Sequence, residues 1–390
     1  MERFDVAIVG AGPAGSSTAG FLARRGYSVA LIDKRLFPSE KLCGDFLNPA
    51  NWPLFERLGI TQELLSLEHE RVEAFRISSF TGEEAVVPFP SHPGNFFFGL
   101  GLRRFYLDDL LLRHAEKKGA IVKQGYRVTG LKRQGEGWSI TLGNQSSEEQ
   151  FHSAFLIGAD GRNSWVAHQL GLAAPGERSG RFVAFQGHLR SCRGINGEVQ
   201  IHLFPGGYAG LVGLGGGMAN LCLTVEKEKA RESPTLDGLL RSYLFKNLHL
   251  REALQESGRV GDIRSVYPVY IPPRRCYGDG FLLAGDAARV TEPVTGEGVY
   301  FALKSGELAA EAASLAFEEG NFSARQLSRY ELACQKALSR RQRINRLIRA
   351  FIYRPRLLTP LIKLSSRSAF PISALVNLVC RPSHEQAFSP

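Results

Sequence analysis

Two periods of apolar spacing alternate along the chain, and the points where one gives way to the other mark out its elements. Residues 4–9 are almost continuously apolar, the pattern of a strand buried on both faces. They run into Gly10-Ala11-Gly12-Pro13-Ala14-Gly15, after which small and apolar residues recur at helical spacing. A second apolar run, Tyr27 to Ile32, ends at Asp33. Helical spacing returns over Ala50–Leu58, closed by Gly59, and over Phe105–Lys118, closed by Gly119. Glu73 to Pro90 alternates apolar and polar residues around Thr81-Gly82, which predicts a hairpin. Strand-like runs cover Ala120–Val128 and Phe151–Ile157, with a hairpin around Gly135 and Gly137 between them. From 182 to 227 the pattern becomes four successive strands, Phe182–Leu189, Glu198–Phe204, Tyr208–Leu214 and Ala219–Val225, joined by glycine-rich turns. A helical stretch near 235–256 follows, then a short strand at Phe281–Leu283 and a long helix over about 297–318.

This order predicts an α/β chain, α+β overall: a Rossmann-like nucleotide-binding domain, an inserted antiparallel-sheet domain, and a helical C-terminal tail. The nucleotide domain is expected in three pieces, 1–72, 101–180 and 263–320. The sheet domain takes 73–100 as a hairpin and 181–262, and the tail takes 321–390. At 390 residues there is room for two domains.

Charge adds one fact. The net charge is +10, but residues 321–390 hold thirteen Lys or Arg against two Glu, a balance of +11 that leaves −1 for all the rest. Basic residues confined to a tail are not the spread-out footprint of a nucleic-acid enzyme, so no nucleic-acid partner is expected. The six cysteines (43, 192, 222, 276, 334, 380) show neither a CxxC pair nor a disulfide framework, and the nine histidines show no metal spacing. A reducing, cytoplasmic setting follows, with no signal peptide before the first strand and no apolar run of about 20 residues. Oligomeric state is left open.

The chemistry lies in three glycine-bearing motifs. In the first, Gly10 permits the turn off the strand, Gly12 lets backbone approach a pyrophosphate, and Gly15 lets helix and strand pack closely. Pro13 and Ala14 open a helix whose free N–H groups bind negative charge, and Asp33 is placed to accept from a ribose. The second motif is Gly158-Ala159-Asp160-Gly161. The third runs from Gly280 through Gly285-Asp286-Ala287 to Pro293 and Gly296-Glu297-Gly298. Taken in order, they resemble the flavoprotein superfamily of aromatic-ring hydroxylases, geranylgeranyl reductases and flavin-dependent halogenases, over roughly residues 1–320.

That resemblance implies FAD on the first motif, with Asp33 and Lys34 at the adenosine end and Val128 beside it. Arg104, in Arg104-Phe-Tyr-Leu107-Asp108, matches an arginine that lines the FAD site in the family. Asp160 matches an aspartate that supports FAD and nicotinamide-nucleotide contact, and Gly285-Asp286 the pair at the ribityl chain. Pro293 and Gly296-Glu297-Gly298 would pass beside the isoalloxazine. NAD(P)H or another reductant would supply electrons.

Phe37-Pro38 to Cys43-Gly44 and Phe204-Pro-Gly-Gly-Tyr208 resemble segments of the geranylgeranyl reductases, with Gly210 where those usually place tryptophan. The halogenase GWxWxIP signature is missing. The implied reaction is hydride reduction of a carbon–carbon double bond in a lipophilic isoprenoid- or polyketide-like compound, with Cys43 as candidate proton donor. Lys41 and the glycine turn would then lower the Cys43 pKa. The rivals are a monooxygenase acting through a flavin hydroperoxide, and a membrane-surface flavin carrier with little activity. Phe96, Phe97, Phe98 and Tyr208 are candidates to line the substrate cavity. In the tail, Ile344, Leu347, Ile348, Phe351 and Ile352 share a helical face among arginines. Two readings stand: a peripheral membrane contact, or a helical cap packed on the FAD domain.

Overall fold

A computed structural model describes residues 2–90, 97–144, 147–173, 176–177, 179–289, 293–367 and 370–380. Phe96 lies outside the described residues. The apolar run at the N-terminus becomes the strand Glu2–Val9 at the middle of a largely parallel sheet, with Val6, Ala7 and Ile8 fully buried. Across the sheet the order is Tyr277–Gly278, Phe281–Leu283, Glu148–Gly158, Glu2–Val9, Val29–Asp33 and Ile121–Gln124. The four inner pairings are parallel. A parallel sheet needs cover on both faces, which explains strands that read as solid apolar runs. The expected strand over 120–128 is instead broken at Gly125, whose φ of 79° turns the chain into a new strand, Arg127–Gln134.

Helices Pro13–Arg24 and Gly298–Glu318 cross in close contact on this sheet. A Cβ at Gly306 would stand 2.7 Å from the Ala14 carbonyl oxygen, and the Thr18 hydroxyl donates to the Gly306 carbonyl at 3.1 Å. Only glycine allows that approach.

The second sheet has seven strands in the order Gly258–Val266, Phe182–Arg190, Met218–Glu226, Gly207–Gly215, Glu198–Phe204, Ala74–Ser78 and Glu84–Pro88. It departs from the expected antiparallel sheet at one place: Glu198–Phe204 pairs parallel to Ala74–Ser78. Those strands come from distant parts of the sequence, so no hairpin dictates their direction. The edge strand Gly258–Val266 is mostly polar and carries glycines at 258 and 261, so periodicity does not reveal it. The stretch near 235–256 is two short helices, Leu236–Ser242 and Leu248–Leu254. Asn247 separates them by capping the second, its side chain accepting from Leu250 N–H.

The tail forms helices Ala324–Ile352, Pro355–Arg367 and Phe370–Cys380. The cap reading needs correcting in its partner. The first of these helices packs on the nucleotide domain through Leu327, Tyr330 and Leu338. Its end and the two later helices pack on the second sheet, where Ile352, Ile362, Ile372 and Val376 join a core with Ile77, Val87, Val199 and Ile201. Among the described residues, no helix is long and apolar enough to cross a membrane.

Candidate functional site

The first glycine motif has the geometry its spacing implies. Gly10 has φ 103°, and a Cβ at Gly15 would lie 1.8 Å from the Gly10 carbonyl oxygen. Gly12 caps the Pro13–Arg24 helix, and a Cβ there would meet nothing within 4 Å. The helix N-terminus thus opens onto free space, as a pyrophosphate cradle requires. On one side of it lies a cavity of about 310 Å³ lined by Gly10, Asp33, Lys34, Val128 and Asp160 among others. On the other side lies a cavity of about 200 Å³ lined by Pro13, Ala14, Cys43, Arg104, Tyr208, Asp286, Pro293, Gly296 and Gly298. Gly12, Lys41, Ala159, Gly161 and Arg162 line both. An elongated dinucleotide fits this pair of cavities end to end. Two charged groups point the same way: Asp286 and Lys41 line the cavity, and neither side chain has a hydrogen-bond partner among the described residues. Burial and the nearby Arg104 charge hold Lys41 below its ordinary pKa, partly offset by Asp286 and Asp108.

Several expected contacts are already spent within the protein. Asp33 accepts from Ala11 N–H at 2.8 Å and forms an ion pair with Arg35 at 3.1 Å. Burial would raise its pKa, but hydrogen bonds and charge from Arg35 hold the carboxyl low. Asp33 therefore braces the glycine turn as well as lining the cavity, and Arg35 went unnoticed in the sequence. Asp160 accepts from the Ser164 hydroxyl and from Val166 N–H, organising the turn into helix Trp165–Gln169. Burial raises its pKa against those hydrogen bonds.

Three expected sets of residues are not among those lining these two cavities. Glu297 does not line the cavity; its fully buried carboxylate pairs with Arg341 at 2.6 Å. Gly298 starts a helix, which turns the preceding side chain outward toward the tail. Gly285 likewise lies outside the two cavities, its N–H donating to the Ser305 hydroxyl and its Cβ position 2.9 Å from that of Ala14. Phe97 and Phe98 line neither cavity, and Phe98 packs edge-on against Trp52 at 5.2 Å. Tyr208 does line the cavity.

Around Cys43 the structure assembles groups that are far apart in sequence. Arg104 is buried and paired with Asp108 at 2.6 and 2.7 Å, and its charge acts on the Cys43 thiol. Burial pushes the Cys43 pKa up, Arg104 lowers it and Asp45 raises it, and the net shift is upward. The expected lowering by Lys41 is therefore reversed, because desolvation outweighs the neighbouring charge. Two residues on, Asp45 has φ 52°, a rare left-handed backbone for a non-glycine residue. It takes hydrogen bonds from Arg104 N–H at 3.1 Å and Gln186 at 3.3 Å, and meets His188 Nε2 at 2.8 Å. Asn220 ties this network to the Cys43 carbonyl at 3.0 Å. Asp45, Gln186, His188 and Asn220 are all buried. Lone polar residues on alternating strands gave no sign of this, since only the pairing of Phe182–Arg190 with Met218–Glu226 brings them together.

A third cavity, of about 320 Å³, lies between the second sheet and the tail helices. Its lining is almost wholly apolar, including Phe75, Ile77, Phe89, Ile348, Ile362 and Val376. Phe46, Val199, Ile201 and Val294 belong both to it and to the cavity that holds Cys43.

The chain is similar to several known proteins. The sequence profile of a family described as an FAD binding domain matches residues 3–193. The chain is 31% identical over 324 residues to a menaquinone reductase of Mycobacterium tuberculosis, covering 80% of this chain and 76% of that protein. It is 30% identical over 340 residues to digeranylgeranylglycerophospholipid reductase 2 of Methanopyrus kandleri, covering 84% and 81%. Its fold is similar to that of the myxobacterial chondrochloren halogenase CndH, with TM-score 0.81, 23% identity, and coverage of 98% and 99%. The chain belongs to the FAD-dependent oxidoreductase superfamily of aromatic hydroxylases, geranylgeranyl reductases and flavin-dependent halogenases.

Proposed function

We propose that this oxidoreductase reduces a carbon–carbon double bond in a lipophilic, isoprenoid-type substrate. The observation that carries the reading is the junction at Phe46, Val199, Ile201 and Val294, where the apolar cavity meets the one holding Cys43. A hydrocarbon chain lying through that junction loses water along its length, and each buried CH₂ contributes about 0.8 kcal/mol. The two curated relatives support the reading, since both are named for reductases of lipophilic molecules.

FAD, when bound, supplies the hydride to one carbon of the alkene, drawing electrons from NAD(P)H or another reductant. The chain's own residues do the rest. Lys41 and the Pro13–Arg24 helix N-terminus hold the dinucleotide, and the apolar walls orient the chain and exclude water. Cys43 gives a proton to the second alkene carbon, a role suited to a thiol that burial keeps protonated. The Arg104 charge, which acts on that thiol, steadies the thiolate left behind until solvent returns a proton once the product has left. Hydride and proton together add two hydrogens across the double bond, and no oxygen is consumed.

The test is product analysis with a geranylgeranyl-bearing lipid and reductant, without oxygen and then under labelled oxygen. A product with two added hydrogens, formed equally well without oxygen, supports the reading. A product carrying label, formed only with oxygen, overturns it in favour of oxygenation.

A further inference from the structure

The apolar cavity has a mouth, and the surface around it is unusual. Leu347, Phe351 and Leu361 line the cavity yet are 59%, 40% and 45% exposed, so the cavity opens to the outside between two tail helices. Beside this opening, Leu357, Pro360, Leu361 and Leu364 follow one another on a single exposed face of helix Pro355–Arg367, with Leu357 and Leu364 just over half exposed. A monomer normally buries or scatters such side chains. These helices and the turn between them expose Arg343, Arg346, Arg354, Arg356 and Lys363; among the described residues none is in an ion pair within 4 Å, and only Lys363 feels an acidic charge, that of Glu83. The sequence has no Asp or Glu between Glu331 and Glu385. On helix Pro355–Arg367, Arg356 and Lys363 fall along one edge of the leucine face rather than within it.

We infer that this face docks on an anionic lipid surface, with the leucines in the acyl-chain boundary and the cations at the headgroups. Apolar side chains flanked by unpaired cations are the chemistry an interfacial helix uses. A second copy of this chain fits less well, because stacking two such faces would bring unpaired cations against one another. The position of the mouth gives the docking a use: a membrane-resident chain could pass from the bilayer into the cavity without crossing water. That use rests on the proposed lipophilic substrate; the docking itself does not.

The test is flotation of the FAD-loaded full chain with vesicles of phosphatidylglycerol and phosphatidylcholine, and with phosphatidylcholine alone. Wild type is expected to float with the anionic vesicles, less so in high salt. Leu357→Gln with Leu364→Gln alters exposed side chains outside the cavity lining. It should lower vesicle binding roughly tenfold or more while leaving the flavin spectrum unchanged. Arg356→Gln with Lys363→Gln should lower binding to anionic vesicles and remove its salt dependence. Wild type that stays behind, or a leucine variant that floats equally well, overturns the inference. So does a dimer that the leucine variant dissociates, with no flotation, since the face would then belong to a second copy. Flotation involves no turnover, so a chain that floats but leaves alkenes intact supports docking and removes only the proposed reaction.

Discussion

Arg341 ties the tail to the cofactor domain, and replacing it with methionine tests what holds the roof of the apolar cavity in place. Its side chain is 4% exposed and that of Glu297 1% exposed, and they meet at 2.6 Å. Arg341 also donates to the Val379 carbonyl at 2.8 Å and lies over the Tyr300 ring. Methionine fills similar space but leaves Glu297 ionised and buried without a counter-charge, a change that costs about 3–5 kcal/mol. The pH dependence has a definite sign. Burial raises the Glu297 carboxyl above its ordinary value of 4.5, and Arg341 opposes that rise. A folded pKa above the unfolded one means stability is greatest below the ordinary value and is lost as pH climbs through the folded value. Without Arg341 the folded pKa rises further. The Arg341→Met deficit should therefore be full at neutral pH and shrink as pH falls toward the carboxylate range. Adding Glu297→Gln should recover most of it. Urea unfolding of wild type, both single variants and the double, at neutral and mildly acidic pH, measures all of this. A neutral-pH deficit under about 1 kcal/mol, or one that grows on acidification, would refute the reasoning.

Two further outcomes follow from the site. Gly12→Ala adds a methyl that meets no protein atom within 4 Å, so the apoprotein should unfold as wild type does. FAD affinity should nevertheless fall roughly tenfold or more in fluorescence titration, because that methyl enters the space for the pyrophosphate; unchanged affinity would place the cofactor elsewhere. Cys43→Ala should lower turnover by roughly 10²-fold or more while flavin reduction by the donor stays at the wild-type rate. Wild-type turnover should hold through neutral pH and decline only above the ordinary thiol pKa of 9.0, since burial keeps the proton on. Equal turnover in the alanine variant would remove Cys43 from the chemistry.

The glycine motif and the cavity position of Arg104 were legible because their geometry is local. A turn, a helix start and an i,i+4 pair such as Arg104–Asp108 are set by neighbours in the chain. Cys43 was legible from its segment, but its upward pKa shift was not, because burial comes from the whole fold. Glu297 shows how a correct motif can mislead: its turn lies where expected, while the side chain faces a helix that begins 27 residues later, at Ala324. The Asp45–His188 contact depends on strand register 143 residues away. The apolar cavity was beyond reach for the same reason, drawing its walls from Phe46 at one extreme and Cys380 at the other. Aromatic runs gave the opposite error: Phe98 fills core against Trp52 rather than lining a pocket.

The central claim is that one continuous path leads an alkene chain through the apolar cavity to the flavin. Ile201, buried at the junction, is the place to close that path. The direct measurement is anaerobic reoxidation of the reduced flavoprotein by geranyl and geranylgeranyl lipids, in wild type and in Ile201→Trp. The account predicts that wild type is reoxidised by the long chain, and that Ile201→Trp loses this while keeping its FAD. Wild type that stays reduced until oxygen enters, or a variant reoxidised by the long chain as fast as wild type, would contradict it.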